Sequence, residues 1–416
     1  MATTNAPRIA PKPDHVPDQL VYDFDMYHDA ALNQNAPERL VDIASTAPPV
    51  FWTPQNGGLW FVCRFRLVTE AGRNWKNFSS EPFTAVEMQA MRAALPTDTQ
   101  MYLPVPILLD PPVHTKFRKP LNLVFAPKAM MAMQNEIRAL AVELIEQVKD
   151  KGHCEFMNVI GEPMPVQVFL NMFGLPRERQ DEFRKIVSDH LSEDYGEHDD
   201  SQRQLGAMAK IMEDTLIERR DNPTDDLISR LWKTDVDGRA LTLEDMQNYC
   251  ILLFIAGLDT VMNAMGFGVR HLAANPELQA KLRAVPSLIP EAAEELLRRY
   301  SFVVSTRRVA RDMAFAGVEM KQGERVMLYN PAANVDPEEF PDPGTFDLHR
   351  ENKAHVTFAS GPHRCLGSHL ARIEVQTLYE EMLKLLPPFR LDPASPVSYR
   401  CGPVIGPRAI HLLWDA

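Results

Sequence analysis

No basic excess, no disulfide frame and no long apolar run marks this 416-residue chain, and each absence removes a class of function. Lysine and arginine number 44 against 56 acidic residues, a formal net charge of -12, so the chain as a whole does not attract nucleic acid or anionic membrane. Five cysteines, at 63, 154, 250, 365 and 401, are odd in number and scattered without a CxxC pair. They read as free thiols of a reducing compartment, the cytoplasm, not as a secreted disulfide scaffold. The most apolar run, CILLFIAGL at 250–258, has about half of the ~20 residues that cross a bilayer and is followed by Asp259, so a core helix is expected there. Residues 1–20, rich in Pro and Ala, have no apolar segment of the kind that directs export and are expected to form a loosely ordered arm. Neither an internal repeat nor a nucleotide-binding glycine fingerprint is found.

Helix is what the sequence has in strength. AMMAMQNEIRALAVELIEQVKD (129–150), RERQDEFRKIVSDHLSED (177–194), QLGAMAKIMEDTLIERRD (204–221) and LEDMQNYCILLFIAGLDTVMNAMGFGVRHLAA (243–274) all space apolar residues near 3.6. The last is long and apolar in its centre, as a helix crossing the middle of a globule would be. Strand signals are fewer: GLWFVCRF (58–65), and RVARDMAFAGVEM and RVMLYN on either side of the turn KQGE (321–324). Residues 331–363 are rich in Pro, Asp and Asn and read as an irregular stretch of the kind kept for function. The pattern predicts one domain over 1–416, mainly α with a smaller β region.

The chemistry concentrates in FASGPHRCLGSHLAR, residues 358–372. An amphipathic helix begins just after Cys365, so free N–H groups and the helix dipole favour a thiolate there. His363 and Arg364 add donors, and Gly361 and Gly367 permit close backbone approach by something flat or bulky. A cysteine so placed serves as an inert buried thiol, a nucleophile or an iron ligand, and the loop alone leaves all three open. Three further stretches bear on it. In EELLRR, Glu295 and Arg298 share a helical face, and FPDPGTFDLHR follows, ending on Arg350. In AGLDT (256–260), Thr260 can bond back to the carbonyl of Ala256 while Gly257 has no side chain, which makes a groove for a small molecule; a satisfied polar pair or an exposed helix edge is the blander alternative. In DPPVHTKFR (110–118), His114 and Arg118 lie four apart on one face, an arrangement that surface patches also show.

The spacing Phe358, Gly361, Cys365, Gly367, together with these three stretches in order, resembles the cytochromes P-450, the haem-thiolate monooxygenases, and LLFIAGLDTVMNAM, EELLRRYS and HLLWDA resemble the soluble bacterial camphor-hydroxylase type. The resemblance runs from about residue 50 to the C-terminus. It implies a triangular helical body around a buried haem b, with Cys365 as iron ligand and His114, Arg118, Ala256, Gly257, Arg307, Phe358, Gly361, His363 and Gly367 around the cofactor. Of these, His114, Arg118, Arg307 and His363 would face the propionates. Glu295, Arg298 and Arg350 would form the structural cluster, while Asp259 and Thr260 would route protons to bound dioxygen.

Because the chain has no nucleotide fingerprint or cluster-binding cysteine set, electrons are expected from NAD(P)H through a reductase and a separate 2Fe-2S ferredoxin. That ferredoxin, acidic, would dock on the cysteine side against Arg118, Lys116 and Arg372. Tyr102 matches a tyrosine that donates to a substrate ketone, although Ser305 stands where that type has an acid. Phe83, Leu252, Ile255, Val303 and Val404 are candidate pocket walls, and the expected substrate is a small apolar terpenoid or norisoprenoid. A haem sensor or carrier without turnover and a peroxide-driven enzyme are the alternatives within haem chemistry; a cysteine-nucleophile hydrolase is the alternative outside it.

Overall fold

The computed structural model describes residues 9–94, 100–185 and 201–415. Its axis is the helix Leu243–Ala274, 32 residues long. Thr242 caps its N-terminus: the Thr242 hydroxyl accepts from the Asp245 N–H while the Asp245 carboxylate accepts from the Thr242 N–H. Apolar side chains all round this helix require neighbours all round, and Pro163–Met172, Ser201–Asp221, Ile289–Arg299 and Ser368–Leu385 pack on it. By length and composition the helix could cross a membrane, but 67% of its most apolar window is buried inside the fold, which makes it a core helix.

The β region is a five-stranded sheet in the order Val50–Thr53, Leu59–Val62, Arg325–Leu328, Ser305–Val309, Phe78–Ser79. All of its pairings are antiparallel except that between Leu59–Val62 and Arg325–Leu328. A three-stranded sheet joins Phe389–Leu391, His411–Trp414 and His153–Glu155, and a short hairpin pairs Tyr399–Arg400 with Gly406–Pro407. The mainly helical architecture expected from the sequence is therefore what the chain adopts.

Three expectations are revised. The arm is anchored from Ile9 onward: the Ala10 N–H donates to the Pro54 carbonyl at 2.8 Å, and Val16 is buried against Val50, Trp52 and Trp60. The stretch 129–150 forms two helices, Pro127–Ala132 and Gln134–Glu146. The predicted helix 177–194 begins as a turn at Arg177–Arg179 and is helical through 185; the rest lies outside the described residues.

Residues 331–363 do run without long regular elements, and buried side chains satisfy their backbone. Arg298 donates to the carbonyls of Asn334 (2.7 Å) and Pro343 (3.1 Å), and Arg350 to those of Pro341 (2.6 Å) and Thr345 (3.0 Å). Glu295 binds both arginines: Arg298 Nε to Oε2 at 2.9 Å, Arg298 Nη2 to Oε1 at 2.8 Å and Arg350 Nε to Oε1 at 3.0 Å. The loop that ends on the cysteine is thus hung from one buried ion cluster.

Candidate active site

The cysteine loop is a tight turn. The Cys365 N–H donates to the Phe358 carbonyl at 2.8 Å, the Ala359 N–H to the Val356 carbonyl at 2.8 Å, and the helix Ser368–Leu385 starts three residues after the sulfur. Cys365 is exposed, although protein surrounds it on most sides. Burial pushes the thiol up, while the Gly367 N–H and the cations Arg118, Arg372 and Arg364 pull it back toward the thiolate.

The two glycines have different tasks. A Cβ built on Gly367 meets nothing within 4 Å, so the space beside the sulfur is open there. One on Gly361, at φ +70°, would stand 2.3 Å from the Gly72 carbonyl oxygen. Gly361 is therefore required by the packing of the loop on the helix Phe65–Arg73.

In the central helix, Thr260 Oγ1 donates to the Ala256 carbonyl at 2.7 Å, the back-bond anticipated from AGLDT. Ala256 is exposed and a Cβ on Gly257 meets nothing within 4 Å, so an open surface lies against the middle of an otherwise buried helix. Asp259, by contrast, is buried and turned to other partners. Its Oδ1 accepts from Asn263 Nδ2 at 2.9 Å and from Arg400 Nη2 at 2.7 Å.

A third group of side chains gathers donors. His114 is buried with neither ring nitrogen hydrogen-bonded, and its ring lies 4.3 Å from that of His363. His363 Nε2 bonds Ser80 Oγ at 2.9 Å, and buried Arg307 donates to the Thr306 carbonyl at 2.7 Å. Burial, then Arg118 and Arg307, pushes His114 down to about 4; burial, then Arg307, His114 and Arg118, pushes His363 to about 3; and burial lowers Arg307 to about 10. Burial lowers all three, Arg118 and Arg307 further disfavour charge on the histidines, and the Asp110 carboxylate opposes the shift at His114 and Arg307.

One pH prediction follows. His114, and His271 beside Tyr300, are both held near 4 against an ordinary 6.5. Between those values the unfolded chain binds protons that the folded chain excludes, so stability is fully present above about pH 6.5 and is lost as pH falls toward 4. Denaturant midpoints should decline across that window and decline less in His114→Phe; a flat profile would count against it.

The sequence model of the family described as Cytochrome P450 matches residues 166–284 and 287–397. This chain belongs to the cytochrome P450 family. A probable cytochrome P450 127A1 of Sinorhizobium fredii (strain NBRC 101917 / NGR234) is 33% identical over 413 residues, covering 97% of each chain. A steroid C26-monooxygenase of Mycobacterium tuberculosis (strain CDC 1551 / Oshkosh) is 34% identical over 303 residues, 70% of this chain and 80% of its own. The crystal structure of CYP101J2 superposes with a TM-score of 0.87 at 33% identity, covering 98% of this chain and all of that one. The chain is a P450 monooxygenase, and membership implies haem.

The residues fit that group. The unbonded nitrogens of buried His114, the donor cluster with Arg307 and His363, the open surfaces beside Gly257 and Gly367, and an accessible cysteine at a helix start would together hold a flat dianion whose metal binds sulfur.

The other residues singled out from the sequence have the following partners. Arg118 donates through Nη2 to the Arg364 carbonyl at 2.6 Å, bracing the cysteine loop. Arg372 is clasped by Glu294, lies 4.4 Å over the Phe358 ring and is no uncommitted docking cation, and Lys116 pairs with Asp237 at 2.6 Å. The Tyr102 ring packs against Gly206, with its hydroxyl under the influence of Glu213, Lys210 and Glu244. Glu244 opens the central helix, about 24 Å of helix rise before Thr260.

Val303 and Val404 bridge each other and, with Ile255, are half-buried against the core; Leu252 is core itself. Phe83 belongs to neither apolar cluster. Sequence reasoning missed Asn263, Arg400, Ser80 and buried Glu374, the last pushed up to about 8 by burial. Only Asn263, one turn after Asp259, carried a local signal.

Proposed function

We propose that this P450 is an external-donor monooxygenase that hydroxylates a small apolar terpenoid or norisoprenoid-like substrate. In this reading the electrons come from NAD(P)H through a reductase and an acidic 2Fe-2S ferredoxin in the cytoplasm. Haem, when bound through Cys365, supplies the iron at which dioxygen is activated. The chain's own contribution is to position the substrate and to move protons.

The observation that carries the reading is the acid–alcohol pair in an open stretch of the central helix. Thr260 Oγ1 is parked on the Ala256 carbonyl, and Asp259 is buried next to it. A hydroxyl that donates to a carbonyl still offers its oxygen lone pairs to a second donor, so Thr260 can hold a water beside the carboxylic acid of Asp259, which in this reading supplies the proton. A carrier or sensor has no use for such a pair. Ile255, Val303 and Val404 suit an apolar substrate, as does the name of the relative that acts on a steroid. The exposed Arg364 and the adjacent Arg118 give the cysteine side a local positive face on an acidic protein, which favours an acidic donor.

The test is coupling. Thr260→Ala should keep haem and substrate binding while diverting most reductant into peroxide, with product per NAD(P)H falling by about tenfold or more, the scale of losing a placed proton donor. Unchanged coupling would remove the proton route from this reading.

A further inference from the structure

Asp259 and Arg400 are 141 residues apart in sequence, yet Arg400 Nη2 stands 2.7 Å from Asp259 Oδ1. The guanidinium comes from the C-terminal hairpin, where Arg400 is paired across from Gly406. That register puts the two halves of the contact side by side. Arg400 reaches the carboxylate, and Gly406 leaves room for Asn263, whose Oδ1 would lie 1.9 Å from any Cβ at that position.

Asn263 is fully buried, donates to both the carbonyl oxygen (2.8 Å) and Oδ1 (2.9 Å) of Asp259, and its own Oδ1 has no partner. A buried amide that leaves its acceptor unused is oriented by what its donor meets. Both donors converge on Oδ1. Among the described residues, Oδ2 of Asp259 accepts nothing.

The hairpin is itself fastened. The Ile405 N–H donates to the Phe302 carbonyl at 2.9 Å and the Val304 N–H to the Pro403 carbonyl at 2.8 Å, so Arg400 projects from backbone with little freedom. Among the described residues, Asn263 and Arg400 are the side chains that bond the Asp259 carboxylate. Met157–Gly161 and Pro163–Met172, which pack on the helix, bring no ionisable side chain. Ser201–Asp221 meets the helix through Glu213 at Gln247, three turns earlier, and Ile289–Arg299 is followed by the Tyr300 that bonds His271, three turns later. Ser368–Leu385 brings buried Glu374, and its Tyr379 bonds the Ala264 carbonyl.

We propose that Arg400 is a positioning residue for the monooxygenase reaction: with Asn263 it orients Asp259 through Oδ1, leaving Oδ2 as the oxygen that exchanges the proton. The inference rests on the reading of Asp259 as a proton carrier. A cation at this distance lowers a carboxylate's proton affinity, while burial alone would raise it and stall release. Single-oxygen anchoring leaves the other carboxylate oxygen free of protein donors among the described residues.

The experiment uses the haem-loaded enzyme. The protonated-carboxyl infrared band of Asp259, assigned by its loss in Asp259→Asn, is titrated in wild type, Arg400→Gln and Arg400→Lys. Arg400→Gln should move the midpoint upward by about 1–3 pH units, the range for removing an opposite charge at this separation, with Arg400→Lys restoring most of the shift. Product per NAD(P)H should fall several-fold in Arg400→Gln. An unmoved midpoint in Arg400→Gln overturns the proposal.

If Arg400→Gln does not fold, the Asp259→Asn/Arg400→Gln double variant decides. Recovery of folding shows that the uncompensated carboxylate was the fault, and failure to recover makes Arg400 merely structural and overturns the role. A shifted midpoint with wild-type coupling in Asp259→Asn would uphold the hold on Asp259 while refuting the proton route itself.

Discussion

Cys365→Ser should abolish the strongly red-shifted band of the reduced, carbon-monoxide-treated haem protein and reduce substrate oxidation to background. The reason lies in the loop. Cys365 stands at a helix start with the Gly367 N–H directed to its sulfur and Arg118, Arg364 and Arg372 near enough to favour negative charge. These groups stabilise a thiolate against the burial that raises the thiol. A serine hydroxyl, whose ordinary proton affinity is far higher, stays neutral in the same surroundings and donates little to a metal.

Because the Cys365 N–H bond to the Phe358 carbonyl and the Arg372–Phe358 stack involve no sulfur, the loop itself should persist, and the variant should remain folded with its circular dichroism unchanged. Retention of the red-shifted band after the substitution would refute the ligand assignment.

The second large effect is expected far from any reacting atom. Glu295→Ala should cost roughly 3–5 kcal/mol, the scale of stranding buried charge, out of a total stability of about 5–15 kcal/mol. Glu295 and Arg298 are fully buried, Arg350 nearly so, and the carboxylate receives three guanidinium bonds as well as the Asp347 N–H at 3.1 Å. Without it, two guanidiniums that also tie down the carbonyls of residues 334, 341, 343 and 345 lose their counter-charge.

The irregular stretch leading to the cysteine loop should then loosen, so haem loss on heating should precede unfolding of the helices. The surface pair Lys210–Glu213 provides the control: Lys210→Ala should leave the melting midpoint essentially unchanged. Equal effects of the two substitutions in thermal melts would show that the cluster has no special weight.

The features legible without a structure share a physical character: they are local. The central helix could be read from its apolar period, and the predicted span 243–274 coincides with the helix found. The back-bond of Thr260 to Ala256 follows from helical geometry alone, as does the Glu295–Arg298 pair three residues apart. The cysteine loop was legible as a pattern, although the reason for one of its glycines was not. Gly361 answers to the Gly72 carbonyl, some 290 residues away in sequence, and no spacing rule carries that contact.

Boundaries also shifted where packing overrode propensity. The arm from Ile9 is held by the Ala10 backbone bond, the buried Val16 and the His15–Glu324 contact, and composition cannot show whether a groove exists to receive them.

Residue types and periods along the chain were enough to set the helical class, the cysteine at a helix start and the acid next to an alcohol on a buried helix, since each depends on neighbours within a turn or two. Which way those groups face was settled only by folding. Asp259 is turned to an arginine from the last hairpin, Tyr102 lies on Gly206, Arg372 is spent on Glu294, and His114 is buried beside His363 with both nitrogens unbonded. Orientation is a property of the surroundings, because a side chain turns to whatever donor, acceptor or open space distant segments bring to it, and sequence separation says nothing of which segments those will be.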